Sequence, residues 1–322
     1  MKKYIFCALF VLCGGFLPAQ ENTELMIINP GRETFAHFPS ATLGNEYNLT
    51  VFLPESFVPL KGRYPLAVVL GLGAEESKAA ETFLETDKVI VAGINFTEKD
   101  YAEPEKIARF VSRELLPYLE TNYPILAGKE NRIIAAQGKS GARVALMLAS
   151  TPKTVGGVAL LSPADAVVEL SLPSRGSTRI LVMGTQAELA DSQRILEKNG
   201  WQYGPDFALL EKTENKFWDL LKKDYLFAPA QDLSLVALKA KLEKSFISLS
   251  SKESVGLSIV ARLKNKRTFA YVPHTLRISP PYLLWKPSLG LLTAISGGER
   301  GTVKIHSEQV KPNFSVKLRL KK

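Results

Sequence analysis

What most limits the fold of this chain is a series of short, unbroken apolar runs set between amphipathic helical stretches. YPLAVVLGLG (64–73) ends in glycines, DKVIVAGINF (87–96) repeats the pattern, and RIIAA (132–136), VGGVALLSP (155–163) and TRILVMGT (178–185) follow. A strand with one solvated face alternates polar and apolar residues, whereas a strand buried on both faces reads as a continuous apolar run. In EPEKIARFVSRELLPYLETNY (103–123), Ile107, Phe110, Val111, Leu115, Tyr118 and Leu119 share one side of a helix, and Pro104 suits its first turn. Further helices are expected at ELADSQRILEKNG (188–200) and NKFWDLLKKDYLF (215–227), and a half-buried strand closed by Pro54 at NEYNLTVFLPESF (45–57). Strands alternating with helices predict a mainly parallel sheet covered on both faces, an α/β fold.

Past APAQD (228–232) the pattern changes. LVALKAKLEKSFISLS, ESVGLSIVARLKNKRTFAYV, HTLRIS, GTVKIHSE and FSVKLRLKK alternate or are β-branched, and helical signals almost vanish. The spacing predicts a smaller all-β, immunoglobulin-like sandwich over residues 231–322, after an α/β domain over residues 20–230. Charge divides at the same place. The chain carries a net +9, but residues 231–322 alone hold 17 Lys/Arg against 5 Asp/Glu, which leaves a net −5 for residues 20–230 once Lys2 and Lys3 are set aside. The cations include Arg262, Lys264, Lys266, Arg267, Lys311, Lys317, Arg319, Lys321 and Lys322. Such a cluster suits a solvated, lysine-rich sheet face or a module that adheres to an anionic envelope polymer.

The N-terminus, MKKYIFCALFVLCGGFLPAQ, sets two lysines before a short apolar run and Ala19. That is the pattern of a secretory signal peptide over residues 1–19, so a periplasmic or secreted protein is expected. Bulky Leu12 before Cys13 argues against lipid anchoring. Cys7 and Cys13 are the two cysteines of the chain, so the mature protein would hold no disulfide, no Cys metal site and no Cys nucleophile. No later stretch has the length of a transmembrane helix, and no His/Asp/Glu group has ligand spacing; neither metal nor cofactor is expected.

QGKSGAR (137–143) lies between an apolar run and an Ala/Leu/Met helix. A nucleotide phosphate loop would need glycine five positions before Gly138, where Ile133 stands, so a nucleotide partner is set aside. A nucleophile elbow also sits between a strand and a helix, with small residues two before and two after the nucleophile.

From about Gly44 to Ala228 the chain resembles the putative esterase (esterase D-like) family of α/β hydrolases. The matching stretches, in the family's order, are LGNEYNLTVFLPESF, YPLAVVLGLG, RELLPYLETNYPI, NRIIAAQGKSGARVALMLAS, LLSP, ILVMGTQAE and NKFWDLLKKDYLF. The resemblance implies ester hydrolysis by a Ser–acid–His triad in that chain order, with backbone N–H groups forming an oxyanion hole. Three registers are open for the nucleophile: the helix matches with Lys139 there, the strand length with Gly138, and Ser140 supplies a serine between small Gly138, Gly141 and Ala142. At the acid position, Gly184-Thr185-Gln186-Ala187-Glu188, the aspartate is Ala187, leaving Glu188 or Asp191 to substitute. The histidine is expected just ahead of Trp218, yet Glu211 to Phe217 contain none; the three histidines are His37, His274 and His306. Gly71-Leu72-Gly73 replaces the common His-Gly oxyanion loop.

These departures point to an exported esterase-like protein with a degenerate triad. It would be catalytically inactive and bind or scaffold an unidentified protein or envelope ligand. One alternative is an active carboxylesterase or acyl hydrolase using Ser140, Glu188 or Asp191, and His274. The other is adhesion through the basic C-terminal domain. Lys139 and Ser140, adjacent in sequence, project about 100° apart on a helix and do not form a Ser–Lys dyad.

Overall fold

The structure, a computed structural model, describes residues 32–58, 62–71, 88–163, 178–211, 225–248, 253–279, 281–295, 301–307 and 315–321. The expected signal peptide, most of the expected helix at 215–227, and Leu72-Gly73 lie outside the described residues.

The expected apolar runs form the centre of a sheet. Strands β1 (Arg32–Ser40) and β2 (Asn45–Phe52) pair antiparallel. β3 (Leu66–Leu70), β4 (Ile90–Ile94), β5 (Arg132–Gln137), β6 (Gly157–Leu161), β7 (Arg179–Gly184) and β8 (Phe207–Glu211) run parallel to one another. The order across the sheet is β1-β2-β4-β3-β5-β6-β7-β8, with β2 antiparallel to β4. Every residue of β3, β4 and β6 is buried. The sequence expressed that two-sided burial as runs without alternation.

Helices flank this sheet. α1 (Pro104–Phe110) passes through a π turn (Val111–Leu115) into α2 (Leu116–Asn122), and Ile107, Phe110, Val111, Leu115 and Leu119 are buried as their spacing predicts. The π turn comes just before Pro117, whose ring cannot follow an unbroken α-helical turn and which has no N–H to donate. α3 (Gly138–Ser150) follows β5, and α4 (Gln186–Lys198) follows β7.

The region after Ala230 is built of strands, as expected. β9 (Leu235–Leu242) pairs with β11 (Ser254–Leu263), which is also flanked by β12 (Thr268–Ala270) at residues 260–262 and by β15 (Leu291–Ala294) at 254–256; β14 (Leu283–Lys286) lies beyond β15. A second sheet has the order β10 (Phe246–Ser248), β17 (Ser315–Lys321), β16 (Gly301–Ser307) and β13 (Leu276–Ser279), with β10 and β17 parallel. Leu238, Leu257, Ile259 and Ala261 of the first sheet and Ile247, Ile305, Leu318 and Leu320 of the second are buried.

The first sheet does not end at the α/β part. Ala270 of β12 pairs antiparallel with Leu209 of β8, so one ladder runs through both regions. Polar contacts close the same junction. Gln193 of α4, fully buried, accepts from Val272 N at 2.7 Å and donates to Glu197 Oε1 at 2.9 Å. Tyr203 donates its hydroxyl to the carbonyl of Ala270, and Tyr225 donates to that of Gly204 at 2.8 Å. Burial pushes both phenols well above the ordinary tyrosine range, so they stay neutral donors.

Candidate active site

The carboxyl end of β5 and the start of α3 form a sharp corner. Ile133 to Ala136 are buried in the sheet, Gln137 is exposed, and the chain turns at Gly138, the first residue of α3, with φ +70. That left-handed backbone is open to glycine and costly for other L-residues. A Cβ built on Gly138 would meet no atom within 4 Å, so the space in front of the corner is open. At Gly141 a Cβ would meet the Cβ of Ala136 at 3.3 Å, so this glycine allows α3 to pack closely on β5. Ser140 is the third residue of α3, past the corner, with its side chain exposed; Lys139 is half-buried.

Gly71, at the end of β3, has φ +87, and its N–H donates to Ile94 O at 2.8 Å. Its own amide is therefore committed to the sheet. The nearby Tyr101 phenol is pushed up to about 12 by burial and by Asp100, which keeps it protonated at neutral pH.

At the expected acid position, the side chains cap a helix. Thr185 caps α4, and Glu188 completes a capping box: its carboxylate accepts from Thr185 N at 2.8 Å and from Thr185 Oγ1 at 3.0 Å. Asp191 is exposed and pairs with Arg194 at 3.1 Å. His274 is exposed on the segment after β12. Strands β6, β7 and β8 intervene between β5 and β12, a lateral offset on the order of 19 Å at ~4.8 Å per strand. His37 lies on β1, near the opposite edge of the sheet, with Nδ1 2.9 Å from Glu46 Oε2. His306 belongs to β16, opposite Ser315.

Ser140 and His274 share no hydrogen bond, and Glu188 is turned toward its own helix terminus. A serine hydroxyl without a base is a poor nucleophile. Among the described residues, no group of three or more His, Cys, Asp or Glu side chains is placed to hold a metal ion, and no helix is long and apolar enough to cross a membrane. The choice among the three elbow registers turns on backbone φ. The sequence carries no signal for it, because GKSG offers a glycine on either side of the serine.

The profile of the family described as Putative esterase matches residues 40–244. No curated protein matches the chain. Among solved structures, a CE1 ferulic acid esterase from Anaeromyces mucronatus in complex with ferulic acid is 16% identical, with a TM-score of 0.44 over 61% of this chain and 88% of that one. The BES protein from Bacillus cereus is 15% identical, with a TM-score of 0.45 over 57% of this chain and 88% of that one. The enterochelin esterase from Shigella flexneri is 14% identical, with a TM-score of 0.43 over 57% of this chain and 53% of that one.

Proposed function

Since the chain belongs to the Putative esterase family, we propose that it keeps the family's scaffold without its chemistry and serves as an exported binding or scaffolding protein of the cell envelope. The observation that carries this reading is Gly138 at the left-handed corner between β5 and α3. A nucleophile elbow presents its reactive side chain at that corner, with small residues two positions before and after. Ala136-Gln137-Gly138-Lys139-Ser140 fits that spacing around a residue with no side chain. The engagement of Glu188 as a helix cap and the lack of histidine from Glu211 to Phe217 support the same reading. Loss of any one triad member typically lowers turnover by about 10⁴-fold or more.

The test is hydrolysis of p-nitrophenyl acetate and butyrate by the mature protein, beside its Ser140→Ala variant. Equal, non-saturating background rates are expected from both. Saturable turnover that disappears in Ser140→Ala would establish instead the active carboxylesterase, with Ser140, Glu188 or Asp191, and His274. The exposure of Ser140 is what favours that second reading.

The same proposal takes residues 1–19 as a signal peptide, 20–230 as the hydrolase-like domain and 231–322 as an immunoglobulin-like module. The arrangement of the C-terminal strands in two sheets supports the last of these. The exposed Lys239, Arg262, Lys264, Lys266, Lys317 and Arg319 suit that module to an anionic envelope polymer. Its binding to long-chain polyphosphate, used as a probe, should weaken steeply with added NaCl; binding indifferent to salt would remove the adhesion role.

A further inference from the structure

We propose that the cleft between the α/β part and the β-rich region binds carbohydrate, one or two pyranose rings long. This site is separate from the elbow and stands whether or not the elbow is silent.

The cleft, about 530 Å³, lies where the carboxyl ends of β7 and β8 meet the C-terminal strands. It opens because β12 and β15 part along β11: Tyr271 N donates to Ile259 O at 2.9 Å, while Leu257 N donates to Gly290 O at 2.9 Å. Its volume is in the range of small-molecule sites, which favour such junctions.

The walls carry two aromatic residues, Trp285 and Tyr271, with polar groups and apolar residues such as Leu257, Ile259 and Leu289 beside them. Trp285 lines the cleft, and its indole N–H donates to Pro273 O at 2.8 Å, which holds the ring in one orientation. Gln186 donates its amide N–H to Pro287 O at 3.1 Å, fixing the amide plane beside the cleft. Glu211, at the end of β8, is exposed. Ser258 and Lys241 sit opposite each other in the β11–β9 ladder, and Glu243 accepts from Gly256 N at 3.3 Å.

A pyranose has a face of C–H groups and a rim of hydroxyls that both donate and accept. An indole face takes the first by dispersion and burial. The rim needs donors and acceptors together, and Lys241 and Ser258 supply donors while Glu211, Glu243 and the Gln186 amide oxygen supply acceptors. The other ligand classes fit less well. Two carboxylates against one lysine repel a phosphorylated or acidic ligand. An acyl chain would find Leu257, Ile259 and Leu289 but would leave Glu211, Glu243 and Lys241 beside it without polar partners. An extended peptide needs an open strand edge, and β11 is already bonded to Tyr271 and Gly290 on both sides of the opening.

The test is calorimetric titration of the mature protein with cellobiose, maltose, xylobiose and N,N′-diacetylchitobiose. At least one should bind saturably. Trp285→Ala should weaken that sugar about tenfold or more, and Glu211→Gln, an isosteric change on an exposed side chain that leaves the fold undisturbed, should weaken it a few-fold. Ser140→Ala should bind like the parent, which separates this site from the elbow. The proposal is overturned if none of the four sugars binds saturably, or if the bound sugar keeps full affinity in both Trp285→Ala and Glu211→Gln.

Discussion

A left-handed backbone costs an L-residue about 1–2 kcal/mol more than it costs glycine. Gly138 pays nothing for its φ of +70, and no neighbour stands within 4 Å of a Cβ placed there. Gly138→Ala is therefore expected to lower stability by about 1 kcal/mol through conformation alone, measured by urea denaturation. A loss of several kcal/mol would mean that the corner is packed, contrary to the structure. Gly141, three residues on, differs in kind: its freedom of φ is unused, and closeness to Ala136 is what selects it. The sequence shows two glycines around a serine and cannot say which one makes the turn.

At the scale of elements, the capping box at the start of α4 gives Glu188 a defined task. Thr185→Val removes the side-chain acceptor for Glu188 N and is expected to cost about 1 kcal/mol in thermal denaturation. An unchanged melting temperature would leave Glu188 without that structural role. Elements with strong periodicity were legible beforehand. β3, β4 and β6 declared themselves as unbroken apolar runs, and the helical stretch from Pro104 onward as one apolar stripe. β1 and β8 were not. β1 carries a register shift between Phe35 and Phe38, which breaks its alternation, and FALLE of β8 is too short for its apolar run to distinguish strand from helix. Which residues stand at the expected site positions, such as the stretch from Glu211 to Phe217 without histidine, was legible, because these are matters of residue identity. The geometry of the site was not, since neither the orientation of Glu188 nor the φ of Gly138 is written in residue type.

At the scale of the whole molecule, the junction between the two regions contains a titratable group. Burial raises the Glu197 carboxyl above its ordinary range, although hydrogen bonds from Gln193 and Tyr271 offset part of the effect. The folded protein thus holds this proton more tightly than the unfolded chain does. The resulting contribution to stability is complete below about 4.5, the ordinary carboxyl value, and is lost as pH rises through the raised folded value. Glu197→Gln, which cannot ionise, should melt higher than the parent at neutral pH, with the gain shrinking to nothing as pH falls below about 4.5. A gain of equal size at every pH would assign the effect to packing instead. The pairing of Ala270 with Leu209 has a consequence of another kind. Without β12, the outer side of β8 would be the bare rim of a hydrophobic parallel sheet, a template on which a second molecule could add a strand. By laying β12 there, at the Ala270–Leu209 pair, the chain covers part of that rim with its own C-terminal region.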